Sequence, residues 1–339
     1  MNFPSQGVRK AIRTRPLPLS RDKRGERPLL KICPEGDLAE AIWVDLIDPS
    51  AEEVAKVEQA LGIDVPSRAS LAEIEASSRL RTHENILYMS APLIAGTEGH
   101  RWSLAPTGFV LSRERLVTVR FAELGAFDEI HKEVDGKNVT APHILVRLLE
   151  DVVDHDADHL ERAAERLADC AQSIFAEAPQ KNKRLGRETR RLRHLMIEIG
   201  QISEKLTRVR HTFLTIGRMA SFIHDRCDWH LGDDIRARLD MIAKDIASLD
   251  EFENSLAGRV QLMLDAANNF ISIEQNDVVK VLTVVSVAGV PPVLVVGVYG
   301  MNFKYMPELN WSFGYPFALG LMVVSTILPV LWFKWRDWL

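Results

Sequence analysis

Oxygen-bearing side chains recur at one angle along an apolar segment near the end of this chain of 339 residues. At about 100° per helical residue, Asp265 and Asn276 lie within about 20° of each other. Val279, Thr283, Ser286, Val290, Val293 and Gly297 fall on neighbouring angles, so the strip is small and weakly polar. Two helices cannot enclose an aqueous path, and a pore along this strip requires several copies of the chain. Small residues also serve dry helix packing, so the strip alone leaves pore and contact open. Beyond it, Tyr299-Gly300-Met301-Asn302-Phe303-Lys304-Tyr305-Met306-Pro307-Glu308-Leu309 brings an amide, an ammonium and a carboxylate into one short connection. Its place between two apolar stretches makes it the expected site of chemistry.

Those stretches define the class of protein. No charged residue occurs from Val281 to Phe303 or from Leu309 to Phe333, runs of 23 and 25 residues, against the roughly 20 that a helix needs to cross hydrocarbon. Trp311 and Tyr315 at one edge, and Trp332, Trp335 and Trp338 at the other, stand where aromatic belts form. Lys280 precedes the first run and Lys334 and Arg336 follow the second, whereas the connection holds only Lys304 and Glu308. The positive-inside rule therefore puts both termini in the cytoplasm and the connection outside. No signal peptide is expected, because the first apolar run is short and broken by Arg9 and Lys10.

The body before Lys280 is charged and large enough to bury a core of its own. Formal net charge is −5, which speaks against a nucleic-acid partner. Cys33, Cys170 and Cys227 are odd in number and form no CxxC, as suits a reducing cytoplasm. Residues 1–31 carry nine basic side chains among prolines and read as a disordered arm. Residues 32–140 read as an α/β domain, with strands at Ile42–Ile47, Asn85–Ile94, Thr107–Leu111 and Leu116–Phe121. Ser50 and Glu53 predict a capping box, with Gly62 ending that helix, and Ser70 and Glu73 predict a second box. Pro142 opens an all-helical region over 141–277. A first span over 278–300, a connection over 301–314, a second span over 315–333 and a tail over 334–339 complete the division.

A stripe with alternating steps of four and three, through Ile235, Leu239, Ile242, Ile246, Leu249, Leu256, Val260, Met263, Ala267 and Phe270, predicts a coiled-coil-like helix, with Glu253 the polar residue in its seam. An intramolecular bundle explains the stripe equally well. No Gly or Pro lies between Arg259 and Ala288, so this stalk can run into the first span as one helix. Asp151, Asp154, His155, Asp156, Asp158 and His159 form a rival metal signal with one i,i+4 histidine pair; a solvated acidic helix face is the favoured reading. No nucleophile, base and oxyanion set emerges, and no GxxxxGK[ST] word, so neither an enzyme nor a nucleotide site is expected.

The YGMN word followed at once by MPEL resembles the CorA family of magnesium and cobalt channels. The likeness extends through Asn268–Asn276, Val278–Thr283, Pro291-Pro292, Trp311–Pro316 and Trp338-Leu339. Upstream, AIWVDLIDPS at 41–50 and EIEASSRL at 73–80 resemble the enterobacterial branch. The resemblance implies an α+β cytoplasmic domain, a long stalk helix and two C-terminal transmembrane helices, assembled as a homopentameric funnel in the inner membrane. It implies a selectivity filter at Gly300, Met301 and Asn302, an inner polar ring at Asn276, an outer-loop role for Glu308, and a regulatory magnesium site at Asp265, with Glu98 as its candidate partner. Lys304 departs from the acidic residue usual at its place in the family.

The residue types suit that reading. Magnesium sheds water reluctantly, so a ring of Asn302 amide oxygens would accept hydrogen bonds from a hydrated ion, and an uncharged ring lets the ion leave. The expectation is a passive magnesium channel, with cobalt, nickel and zinc as further candidate ions, no resident cofactor, and the bilayer and its own copies as partners. A zinc carrier of the ZntB branch is the runner-up. A membrane-tethered scaffold without a pore is the alternative outside transport.

Overall fold

The computed structural model describes residues 30–33, 37–73, 75, 79–96, 103–134, 139–175, 187–227, 229, 231–302, 304, 306–307, 311–336 and 338. Its strands are β1 (Leu30–Cys33), β2 (Trp43–Ile47), β3 (Leu80–His83), β4 (Ile86–Ala95), β5 (Ser103–Leu111) and β6 (Leu116–Arg120). They form one sheet in the order β1-β2-β6-β5-β4-β3, parallel only between β2 and β6. Leu30 and Lys31, assigned from sequence to the arm, instead pair with Leu46 and Asp45 at the sheet edge. Glu84 and Asn85, both at positive φ, make a two-residue turn joining β3 to β4, the geometry that tight hairpins favour.

Period-two alternation sorts the strand side chains to two faces. Trp43, Leu87, Met89, Phe109 and Leu116 join the core shared with the long helices, while Val44, Leu46, Tyr88, Val110 and Val119 pack under α1 (Ala51–Leu61) and α2 (Arg68–Leu71). Ser50 and Glu53 make the expected capping box, and Gly62, at φ 65°, closes α1. The second box is not where the sequence put it. Ser67 caps α2, its hydroxyl accepting from the Ser70 N–H at 3.2 Å, and Ser70 is inside the helix. That start sets Leu71 against the sheet, where a Cβ on Gly108 would come within 2.9 Å of it.

A buried polar cluster ties the sheet to α3 (Gly125–Val134). Arg120 donates to Asp45 at 2.9 Å, Thr118 donates to Asp45 at 2.7 Å, and Trp43 donates to Thr118 at 3.0 Å while its ring stacks on His131. Burial alone would raise the Asp45 carboxyl. The His131 imidazole 3.5 Å away, the Arg120 charge and hydrogen bonds from Arg120 and Thr118 more than offset it and hold the group below its ordinary value.

Three long helices follow: α4 (Ala141–Phe175), α5 (Arg187–Arg226) and α6 (Asp233–Tyr299), before α7 (Gly314–Trp335). The 67 residues of α6 extend about 100 Å at 1.5 Å per residue. Its N-terminal half buries the expected stripe against α4 and α5 within one chain, and the same helix continues without a break through Pro291 and Pro292. Bundle helix and stalk are thus one element. Paired contacts set the alignment: His143 with Asp234 at 2.8 Å, and Arg238 with Glu150 at 2.7 Å.

The acidic segment of α4 departs from the expected solvated face. Asp154, His155 and Asp158 are exposed, but Asp151 and Asp156 are buried. The α4 face that packs into the core extends round to these positions. Among the described residues, no cluster has the makings of a metal site.

Candidate functional site: an unpartnered helix strip and its outer end

Two helices, α6 and α7, have segments long and apolar enough to cross a membrane, and those segments are almost wholly exposed in the single chain. A core helix of a water-soluble fold would be covered. Where they touch, Val284 of α6 and Ala318 of α7 are buried, and Ala288, Pro291, Pro292, Val295 and Tyr299 are half-buried.

The polar strip lies on the other side. Asp265, Asn276, Val279, Ser286, Val290, Val293 and Gly297 are exposed, and Thr283 is half-buried. Counting about 100° per residue, the strip is centred roughly 170° from the face that α7 covers. Val293, 70% exposed, has no partner of its own chain on that side. Thr283 donates to the Val279 carbonyl at 2.8 Å, which turns its hydroxyl back to the helix and leaves the oxygen as an acceptor. The strip therefore offers oxygen acceptors and small apolar groups to whatever lies along it.

Gly300 ends α6. Its N–H donates to the Val296 carbonyl at 2.9 Å, and a Cβ there would lie 2.9 Å from that same oxygen, so close approach explains the glycine. Met301 turns back once, donating to Val298 at 3.3 Å. Asn302 is then exposed just past the helix end, at the level where the strip finishes, and Lys304 is exposed two residues on. Glu308, expected in the outer loop, and Glu98, expected beside Asp265, lie outside the described residues. The outer turn closes on Trp311, packed 5.8 Å from Phe317 at the start of α7.

Nearer the N-terminal end of α6, Asp265 is exposed and accepts from Gln261 at 3.2 Å. It stands eleven residues, about 16 Å of helix, from Asn276. Sequence reasoning placed Trp338 in an aromatic belt and missed its position beside Asn276. A groove of about 390 Å³ at the foot of the span is lined by Ile273, Asn276, Asp277, Val279, Lys280, Thr283 and Trp338. Trp338 is placed there by its N–H, which donates to Phe333 at 3.0 Å, and by stacking on the buried Phe333 ring. The aromatic-belt pattern and the terminal Trp-Leu pair do not by themselves bring the ring to α6.

The family of CorA-like Mg2+ transporter proteins matches residues 39–335. The magnesium transport protein CorA of Sodalis glossinidius is 33% identical over 308 residues, covering 90% of this chain and 94% of that protein. The corresponding protein of Escherichia coli (strain K12) is 32% identical over 305 residues, covering 89% and 93%. The complete CorA magnesium transporter structure from Methanocaldococcus jannaschii superposes with a TM-score of 0.68 at 20% identity, over 88% of this chain and 91% of that one. The full-length CmaX protein gives 0.61 at 15% identity, over 87% and 88%. At those identities the structures speak to the fold alone, and they share it.

Proposed function

The chain belongs to the CorA-like Mg2+ transporter family, and from that premise we propose that it is a passive, voltage-driven channel for hydrated magnesium, with cobalt and nickel as further ions. The observation that carries the reading is the strip of α6 left open opposite α7 and finishing at Gly300-Met301-Asn302. An open strip with acceptor oxygens becomes a water-filled path only when copies of the chain face one another. Five copies, each contributing Asn276, Thr283 and Ser286, would line a pore; α7 would face lipid.

In this reading the Asn302 amides form the outer ring. Their oxygens accept hydrogen bonds from the aqua ligands of magnesium, which keeps its inner shell. An amide ring carries no net charge, so binding stays weak enough for release inward. Two charges crossing 100 mV gain about 4.6 kcal/mol, enough for uptake without nucleotide hydrolysis. Both termini face the cytoplasm across the inner membrane, Met301 supports the filter turn, and Glu308 adds negative charge at the outer loop. Asp265, with Glu98 as its candidate partner, binds intracellular magnesium and holds the closed form, so the channel responds to the ion it carries.

The reading is tested by magnesium influx into proteoliposomes with the potential and the proton gradient set independently. Influx should follow the imposed inside-negative potential and persist when the proton gradient alone is removed. Influx that disappears with the proton gradient at constant potential contradicts a passive channel.

A further inference from the structure

Charge is almost absent from the membrane part of the chain, so each ionic group there has a large effect. Between Lys280 and Lys334 the sequence has two charged residues, Lys304 and Glu308, and Lys304 is the one among the described residues. Its position follows from the end of α6. The helix stops at Tyr299, Gly300 caps it, Asn302 is exposed beyond it, and Lys304 is exposed after one more residue. Two residues of chain span at most about 7 Å, less than the Debye length of about 8 Å at physiological ionic strength. The flexible Lys304 stem can therefore carry its ammonium within screening range of an ion at the Asn302 level. Every copy that adds an Asn302 to the ring adds a Lys304 to its rim.

We propose that Lys304 is a specificity-determining residue of the pore: a rim of ammonium groups that offsets the Glu308 carboxylates of the same connection, lowers the local concentration of divalent cations below what those carboxylates alone would give, and so limits their capture. The inference rests on the channel reading above. Repulsion scales with the charge of the ion, so magnesium is depleted at the rim more strongly than a monovalent cation is. The rim acts on approach and leaves the Asn302 ring its selection among hydrated ions. Its effect therefore falls on the external magnesium concentration that gives half-maximal flux, and much less on maximal flux. Salt screens it. A lysine that served only to anchor the loop at the lipid surface would instead show its loss in assembly, with no dependence of capture on ionic strength.

Magnesium influx into proteoliposomes at fixed potential tests this with wild type, Lys304→Arg, Lys304→Gln and Lys304→Glu, each shown to elute as the wild-type assembly does. Ionic strength is set low or high with an impermeant organic salt. At low ionic strength the half-saturating magnesium concentration should fall about threefold in Lys304→Gln and about tenfold in Lys304→Glu, within the range that electrostatic steering covers. Lys304→Arg should match wild type, and the differences should vanish at high ionic strength. Wild-type flux with unshifted capture in Lys304→Glu overturns the role of Lys304 alone. Absence of flux in wild type overturns the channel reading, and this inference with it.

Discussion

Trp338 and Asn276 line one groove, although one follows the second membrane helix and the other precedes the first membrane segment. The Trp338 ring, held on Phe333, forms a wall of the groove that Asn276 also lines. In a chain whose native cysteines are replaced by serine, Asn276→Cys should react several-fold faster with a charged thiol reagent when Trp338→Ala is added. Equal rates with and without the tryptophan would show that the tail does not cover the site.

Glu253 is buried in the seam of α6 and meets Arg210 of α5 at 3.3 Å, while the same guanidinium reaches Asn254 at 2.9 Å. Arg210 is 41% exposed, but removing it leaves the buried Glu253 carboxylate without that partner. Arg210→Ala should therefore destabilise the assembled protein by about 1 kcal/mol, since water screens the exposed guanidinium, and Arg210→Ala with Glu253→Leu by clearly less. Thermal unfolding in detergent reads both. Additive losses in the double variant would show that the pair is not coupled.

Asp156 is 3% exposed, and burial pushes its carboxyl well above the ordinary range. A folded-state value above the unfolded one means that the protonated form is favoured by folding. Its contribution is full below the unfolded value, near 3.8, and is lost as pH rises through the folded value. Asp156→Asn, which cannot ionise, should raise the melting temperature at pH 8 by about 3 °C or more, with a smaller gain at pH 5. The same gain at both pH values would contradict the assignment to ionisation.

These cases mark what the amino-acid pattern could and could not reveal. The stripe from Ile235 to Phe270, the unbroken passage into the first span and the box at Ser50 were legible because each depends on neighbours along one helix. The edge strands β1 and β3 and the short α3 were not. Leu30–Cys33 adjoins a basic arm, Leu80–His83 is mostly polar and exposed, and the turn between β3 and β4 uses Glu84 and Asn85 without a glycine. Asp156 looked like one more carboxylate on a wet face, since burial depends on which helices pack across it. For the site, helical angle alone placed the strip. That α7 covers the opposite side of α6, and that Trp338 folds back beside Asn276, depends on contacts between helices.

Asp265 is exposed on the same line of α6 as Asn276, below the membrane segment. In the channel proposed above, Asp265 carboxylates brought together by assembly would repel, and a divalent ion between them would favour the closed form. Asp265→Lys should lose most of the protection from protease that millimolar magnesium gives the stalk. Identical protection in wild type and variant would make Asp265 an ordinary solvated residue.

The central claim is that magnesium passes a ring of Asn302 amides at the outer end of α6. Asn302 is exposed and lies outside the helix, so Asn302→Ala removes acceptors without removing a core contact. The most direct measurement is voltage-driven magnesium influx into proteoliposomes holding Asn302→Ala that elutes as the wild-type assembly does. The account requires flux to fall at least about a hundredfold, as expected when hydrated-ion binding at the filter is lost. Wild-type flux through the correctly assembled variant would contradict it.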